Sequence, residues 1–141
     1  MAQREIKFRA WDTEDNEIYI PEALGICKDG SYMPLRLCKD GNRAYKPHPI
    51  MQFTGLHDKN GKEIYEGDIL TSIYGDGNPC AIKFGEFSDY ITADFASNYT
   101  IIGFYWDEGV RKKSAFGKSI DGNMEYCEVI GNIYETPDLL K

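Results

Sequence analysis

A mainly β fold, in the form of a small barrel or strongly bent sheet, is what the sequence predicts, and three observations predict it. Apolar residues recur at every second position in short runs, Gly, Pro, Asn and Asp punctuate those runs, and no stretch keeps a helical period for three turns. The 141 residues suit one domain of modest size, and aromatic residues make up 13% of them, enough to close a core in a short chain.

The elements follow in order. Ile6, Phe8 and Ala10 alternate with Glu5, Lys7 and Arg9, the pattern of a half-buried strand that ends near Trp11. Asp12 to Asn16 turns the chain; Ile18 and Ile20 then resume an inward face with Glu17 and Tyr19 opposite, so the start is a β-hairpin. In residues 21–49, Pro21, Gly25, Gly30, Pro34, Gly41, Pro47 and Pro49 interrupt every regular run, which predicts a loop-rich excursion with a short strand near Leu35 to Cys38. Met51 to Leu56 is a strand, Asn60-Gly61 a tight hairpin turn, and Lys62 to Tyr65 the return. Gly67 bends the chain into a strand through Ile73, and Gly75 to Pro79 is a turn. Strands are expected at Cys80 to Phe84, Tyr90 to Phe95 and Thr100 to Trp106, with breaks at Gly85-Glu86 and Ser97-Asn98. Tyr126 to Tyr134 is the last strand, with Gly131 marking a bulge; Thr136 before Pro137 predicts an N-capped helical turn that lays Leu139 and Leu140 on apolar surface. No internal repeat stands out.

Charge and cysteine usage narrow the functional classes. A formal charge of −7 repels phosphate and argues against sequence-independent nucleic-acid binding as the main activity. The candidate basic patch is Arg111, Lys112 and Lys113 with Lys118, and a second cluster is Arg4, Lys7 and Arg9. The charged start, Met1 to Trp11, does not read as a signal peptide, and no apolar run is long enough to span a membrane, so a cytoplasmic place is expected. Cys27, Cys38, Cys80 and Cys127 are then free thiols, and their spacing is not that of zinc ligands, so they are expected to behave as buried small hydrophobes.

No catalytic, metal or cofactor constellation emerges. Gly117-Lys118-Ser119 has the closing spelling of a phosphate loop, but Lys112 stands where its first glycine belongs. Gly75-Asp76-Gly77 is a turn. His48 lies between Pro47 and Pro49, an extended linker, and His57 beside a hairpin turn, so both are expected at the surface rather than beside a nucleophile. Glu63 and Asp68 form one of many acidic pairs, and Asp12 to Glu17 lacks the glycine of a calcium loop. Phe104, Tyr105 and Trp106 sit in one strand and must point to alternating faces, so at least one large ring leaves the core; these are the candidate interface aromatics.

Three stretches carry a resemblance to a known family. They are Arg4 to Asp12; Met51 to Leu56 continuing through Asp58-Lys59-Asn60-Gly61-Lys62-Glu63-Ile64-Tyr65-Glu66-Gly67-Asp68-Ile69; and Glu128 to Glu135 with Pro137 and Leu139. Together they resemble the YopX family, small proteins encoded by bacteriophages and prophages. The resemblance implies an N-terminal β-hairpin and loop-rich element over residues 1–65 and an SH3-like β-barrel or roll over residues 66–141. It brings no reaction, cofactor or catalytic residue. The expected function is a phage or prophage interaction module, non-enzymatic, that associates with copies of itself or with a phage or host protein. The alternative is a nucleic-acid-binding accessory protein using the basic patch and nearby rings.

Overall fold

The computed structural model describes residues 5–71, 78–90, 98–107 and 127–141. The chain divides into two compact units, Met1–Phe53 and Thr54–Lys141. Both are built from antiparallel strands, so the mainly β expectation holds, and the only helical element among the described residues is a 3₁₀ turn, Pro137–Leu140.

In the first unit, β1 (Phe8–Asp12) and β2 (Glu17–Tyr19) form the predicted hairpin, with Ala10 opposite Tyr19. The Asp12 side chain shapes the turn: its Oδ1 accepts the amides of Glu14 and Asp15 at 2.8 and 2.9 Å, and Asn16 takes a positive φ of 56°. The expected faces are partly reversed. Tyr19 is buried and Ile20 exposed, while Ile6 is exposed and Arg9 buried. The cause is Ala10, whose missing bulk leaves room for a large ring directly across the ladder.

Residues 21–49 are not the loop-rich excursion that their prolines and glycines suggest. They form a three-stranded meander of β3 (Ala23–Ile26), β4 (Tyr32–Leu37) and β5 (Arg43–Tyr45) in the order β3-β4-β5. Pro34 sits inside the central strand without breaking it. Its carbonyl accepts the Lys46 amide just past the end of β5, so its nitrogen, on the same edge, lacks a donor where no ladder continues.

The turns also explain the glycines. Cys27-Lys28-Asp29-Gly30, Cys38-Lys39-Asp40-Gly41 and Asp58-Lys59-Asn60-Gly61 all close the same way: the first residue's carbonyl accepts the glycine amide at 3.0 Å, and the glycine adopts φ of 89°, 88° and 80°. These are three-residue hairpin loops with a left-handed glycine, not two-residue turns, and Asn60 itself keeps a negative φ. A Cys-Lys-Asp-Gly repeat at 27–30 and 38–41 is therefore real structure, and the expectation of no internal repeat is corrected at this local scale.

β6 (Ile50–His57) belongs to both units. Ile50 to Gln52 pairs with β1, and the strand then runs on through Asp58 toward β7 (Glu63–Tyr65). The remaining strands of the second unit are β8 (Asp68–Leu70), β9 (Cys80–Tyr90), β10 (Asn98–Asp107) and β11 (Val129–Asn132), ordered β10-β9-β8-β11. The predicted break at Gly85-Glu86 does not occur. Gly85 lies opposite Gly103 in a continuous ladder, and strand pairing on both sides overrides the local signal. Ile73 and the Gly75 to Gly77 part of the expected turn lie outside the described residues, as do residues 91–95 of the expected Tyr90 to Phe95 strand.

The core of this unit is Ile64, Leu70, Cys80, Ile82 and Cys127, with Leu56, Phe104, Tyr105 and Val129 packed against it. The bulge expected at Gly131 is present as a register shift between Val129 and Gly131. A Cβ at Gly131 would stand 1.9 Å from the Thr136 Oγ1, which accepts the Asn132 amide at 3.0 Å. The helical turn falls at Pro137–Leu140 with Thr136 at its N-cap position as predicted, but the Thr136 hydroxyl braces the bulge and makes no cap bond, and Leu139 and Leu140 stay 38% and 42% exposed.

Candidate functional site

The sequence-predicted positions fare unevenly. Arg111, Lys112, Lys113 and Lys118 lie outside the described residues, and so does the side chain of Trp106. Phe104 stands edge to face with Phe84 directly across the β9–β10 ladder, ring centroids 5.1 Å apart, with Phe84 and Ile102 exposed beside it. Tyr105 points to the other face, where its ring passes the backbone of Gly85. Phe104 and Tyr105 therefore lie on opposite faces, and of the two Phe104 joins the exposed apolar patch.

The most concentrated polar constellation lies in the first unit and was not anticipated. His48 is buried, its side chain 1% exposed, against the expectation of a linker position. Its Nδ1 hydrogen-bonds the Tyr19 hydroxyl at 2.8 Å, and its Nε2 faces Asp12 Oδ1 at 3.6 Å and Glu14 Oε1 at 3.8 Å. Arg36, from β4, completes the group: its Nε lies 3.3 Å from Asp12 Oδ2, its Nη2 bonds Glu17, and its guanidinium stacks 4.1 Å over the Tyr19 ring. Four segments, the β1–β2 turn, β2, β4 and the approach to β6, meet in this cluster.

Electrostatics make it a structural lock. Burial works to raise the Asp12 carboxyl, but the amides of Asp15 and Glu14 and the charges of His48 and Arg36 outweigh burial and hold it below its ordinary value of 3.8. Burial pushes the Tyr19 hydroxyl up to about 12, partly opposed by Arg36, so it stays protonated and is no base. The Tyr–His–carboxylate order has the spelling of a relay, yet the imidazole is turned toward Asp12 and Glu14 and away from solvent. Two prolines flanking a histidine are the one sequence signal for the site, since they fix the backbone that aims the ring.

In the second unit, Asp58 plays a parallel role. Its Oδ1 accepts the amides of Asn60 and Lys62, each at 2.9 Å, and its Oδ2 accepts the Val129 amide at 3.0 Å, joining the hairpin to β11. Burial opposes ionisation there, but these three amides keep the carboxyl below 3.8. Asp68 is likewise spent on the backbone, accepting the Tyr65 amide at 2.8 Å, rather than paired with Glu63 for acid–base work.

The thiols split. Cys80 and Cys127 are buried as expected, and burial, reinforced by the Asp58 charge, pushes the Cys127 thiol up to about 11. Cys27 is exposed and Cys38 half-buried, because each opens one of the repeated turns. Among the described residues no cluster of His, Cys, Asp and Glu has the geometry to hold a metal ion, and no helix is long and apolar enough to cross a membrane.

The apolar surface of the first unit is the remaining candidate. On β4, Met33, Leu35 and Leu37 share one face, across from Gly25 and Ala23 on β3 and Arg43 and Tyr45 on β5. The Tyr45 ring lies over Gly25, where a Cβ would approach it to 3.0 Å. Met33, Leu37 and Tyr45 are exposed at 44%, 45% and 55%.

Comparison with known proteins fits this architecture. The chain is similar to protein EF1440 from Enterococcus faecalis, whose crystal structure superposes with a TM-score of 0.61 at 26% identity, covering 99% of this chain and 100% of that one. No curated protein matches it. The family model described as YopX protein matches residues 7–141, nearly the whole length, and so the chain belongs to the YopX family.

Proposed function

We propose that this chain is a phage- or prophage-encoded, non-enzymatic module acting in the bacterial cytoplasm, and that it works by protein–protein association, in the first place with copies of itself. The outer face of the β3–β4–β5 meander carries the reading: Met33, Leu37 and Tyr45 stand exposed around Leu35 on a regular sheet surface. Contiguous apolar patches are uncommon on monomers unless something docks on them. The best-formed polar cluster, around His48, is consumed in holding the unit together, which supports a role without catalysis. The SH3-like reading of residues 66–141 belongs to this proposal, supported by short antiparallel strands and the bulge at Gly131.

Sedimentation of the purified protein over a wide concentration range tests it. The expected result is reversible association that weakens by at least ~tenfold when Met33, Leu37 and Tyr45 are all changed to Ser. A strict monomer at every concentration, or a triple variant that associates as the wild type does, overturns the proposal.

A further inference from the structure

The two edges of the β3–β4–β5 sheet are unlike. The β5 edge is guarded: Arg43 and Lys46 flank it and Pro47 follows, the charges and proline that keep an edge strand from pairing. The β3 edge, Ala23-Leu24-Gly25-Ile26, carries no charge and no proline. Ile26 within it is 74% exposed, the largest exposure of any large apolar side chain among the described residues of the first unit.

The ladder fixes which backbone groups this edge offers. Cys27 donates its amide to Ser31, so in the alternation of an antiparallel pair Gly25 and Ala23 also point toward β4, while Leu24 and Ile26 point away from it. Among the described residues, the outward amides and carbonyls of Leu24 and Ile26 meet no backbone partner.

Resting on the association reading above, we propose that β3 is a strand-addition site and that its occupant is β3 of a second copy, joined antiparallel about a two-fold axis through Gly25. In that register Leu24 of one copy faces Ile26 of the other, twice, and each pair exchanges both of the free backbone bonds. Side-chain chemistry selects the same register. Glu22, whose carboxylate already holds Arg43 of its own copy at 2.6 Å, then comes beside the turn residue Lys28 of the second copy at both ends, matching unlike charges, and Lys28 has no ion-pair partner among the described residues. Ile26 gains Leu24 of the second copy as cover. Gly25, at the axis, removes any side-chain clash where the two backbones come closest. The product is a continuous six-stranded sheet whose remaining edges are the guarded β5 strands.

Amide hydrogen exchange of the whole protein at low and high concentration, paired with sedimentation, tests the proposal. The amides of Leu24 and Ile26 are expected to slow at least ~tenfold as dimer forms, while those of Ala23 and Gly25, already bonded to β4, change little. Ile26→Lys, at an exposed position, is expected to raise the dissociation constant at least ~tenfold with the far-ultraviolet spectrum unchanged. If the protein dimerises while the Leu24 and Ile26 amides exchange as fast as in the monomer, the edge proposal falls and association through the outer face stands. A monomer at all concentrations sinks both. Should Ile26→Lys fail to fold, the exchange of the wild type decides alone.

Discussion

The two units bury different chemistry. In the first, the interior holds Asp12, Tyr19, Arg36 and His48, directional groups drawn from four segments: Tyr19 bonds His48 and Asp12 faces both cations, while the buried Arg36 Nε and His48 Nε2 make no hydrogen bond of their own. In the second, the interior is Ile64, Leu70, Ile82 and two thiols, and its polar clasp, Asp58, engages only backbone amides. A network of that kind specifies one arrangement and fails when a single member is lost, whereas an apolar core answers to volume and is indifferent to proton concentration.

Substitutions in each unit break that contrast in different ways. The largest effect is expected from Ile82→Ala, which empties space at a fully buried position and should cost about 4 kcal/mol in denaturant unfolding, by the same amount at neutral and mildly acidic pH. Asp12→Ala comes next, at about 3 kcal/mol, because it strands Arg36 and His48 and removes the acceptor for two turn amides. Its cost depends on pH. The Asp12 carboxyl is held below 3.8 in the fold, so its contribution is complete above that value and disappears as pH falls through the lowered one; in strong acid wild type and variant should converge. A pH series of melts reads this directly, and a cost that stays constant into acid would show that the carboxylate charge is not what holds the lock. Gly131→Ala is the smallest, about 2 kcal/mol, since its Cβ would collide with the hydroxyl that braces the bulge. Loss of the Asn132 amide's protection in hydrogen exchange should accompany it.

Much of the fold was legible because turns are spelled locally. Asn60-Gly61, Asp12 to Asn16 and Gly67 each name a backbone shape that few residues adopt, Gly131 marks the bulge where a side chain would collide, and the strands between them follow. What was not legible depends on partners distant in sequence. Pro34 and Gly85 look like breakers until the neighbouring strand is known: one falls where its missing donor costs nothing, the other opposite a second glycine. The inward turn of Tyr19 needed Ala10, His48 and Arg36, the last two 29 and 17 positions away, so period-two reading assigned the wrong face. His48 itself was hidden by its prolines, which signal an extended segment correctly but say nothing of what covers it. The repeated Cys-Lys-Asp-Gly turns were visible in the letters and became meaningful only as identical backbone closures.

The position of β11 sets an order of assembly. Leu70 pairs with Val129, and Cys127 fills the apolar centre, so the second unit brings together residues almost sixty apart before its sheet is complete. The hairpins of the first unit each close over a handful of residues and can form one after another as the polypeptide leaves the ribosome. The nascent second unit must instead wait, with β8 and β9 in place and their apolar side chains uncovered, until Cys127 and β11 emerge, and that interval is when a chaperone has most to hold.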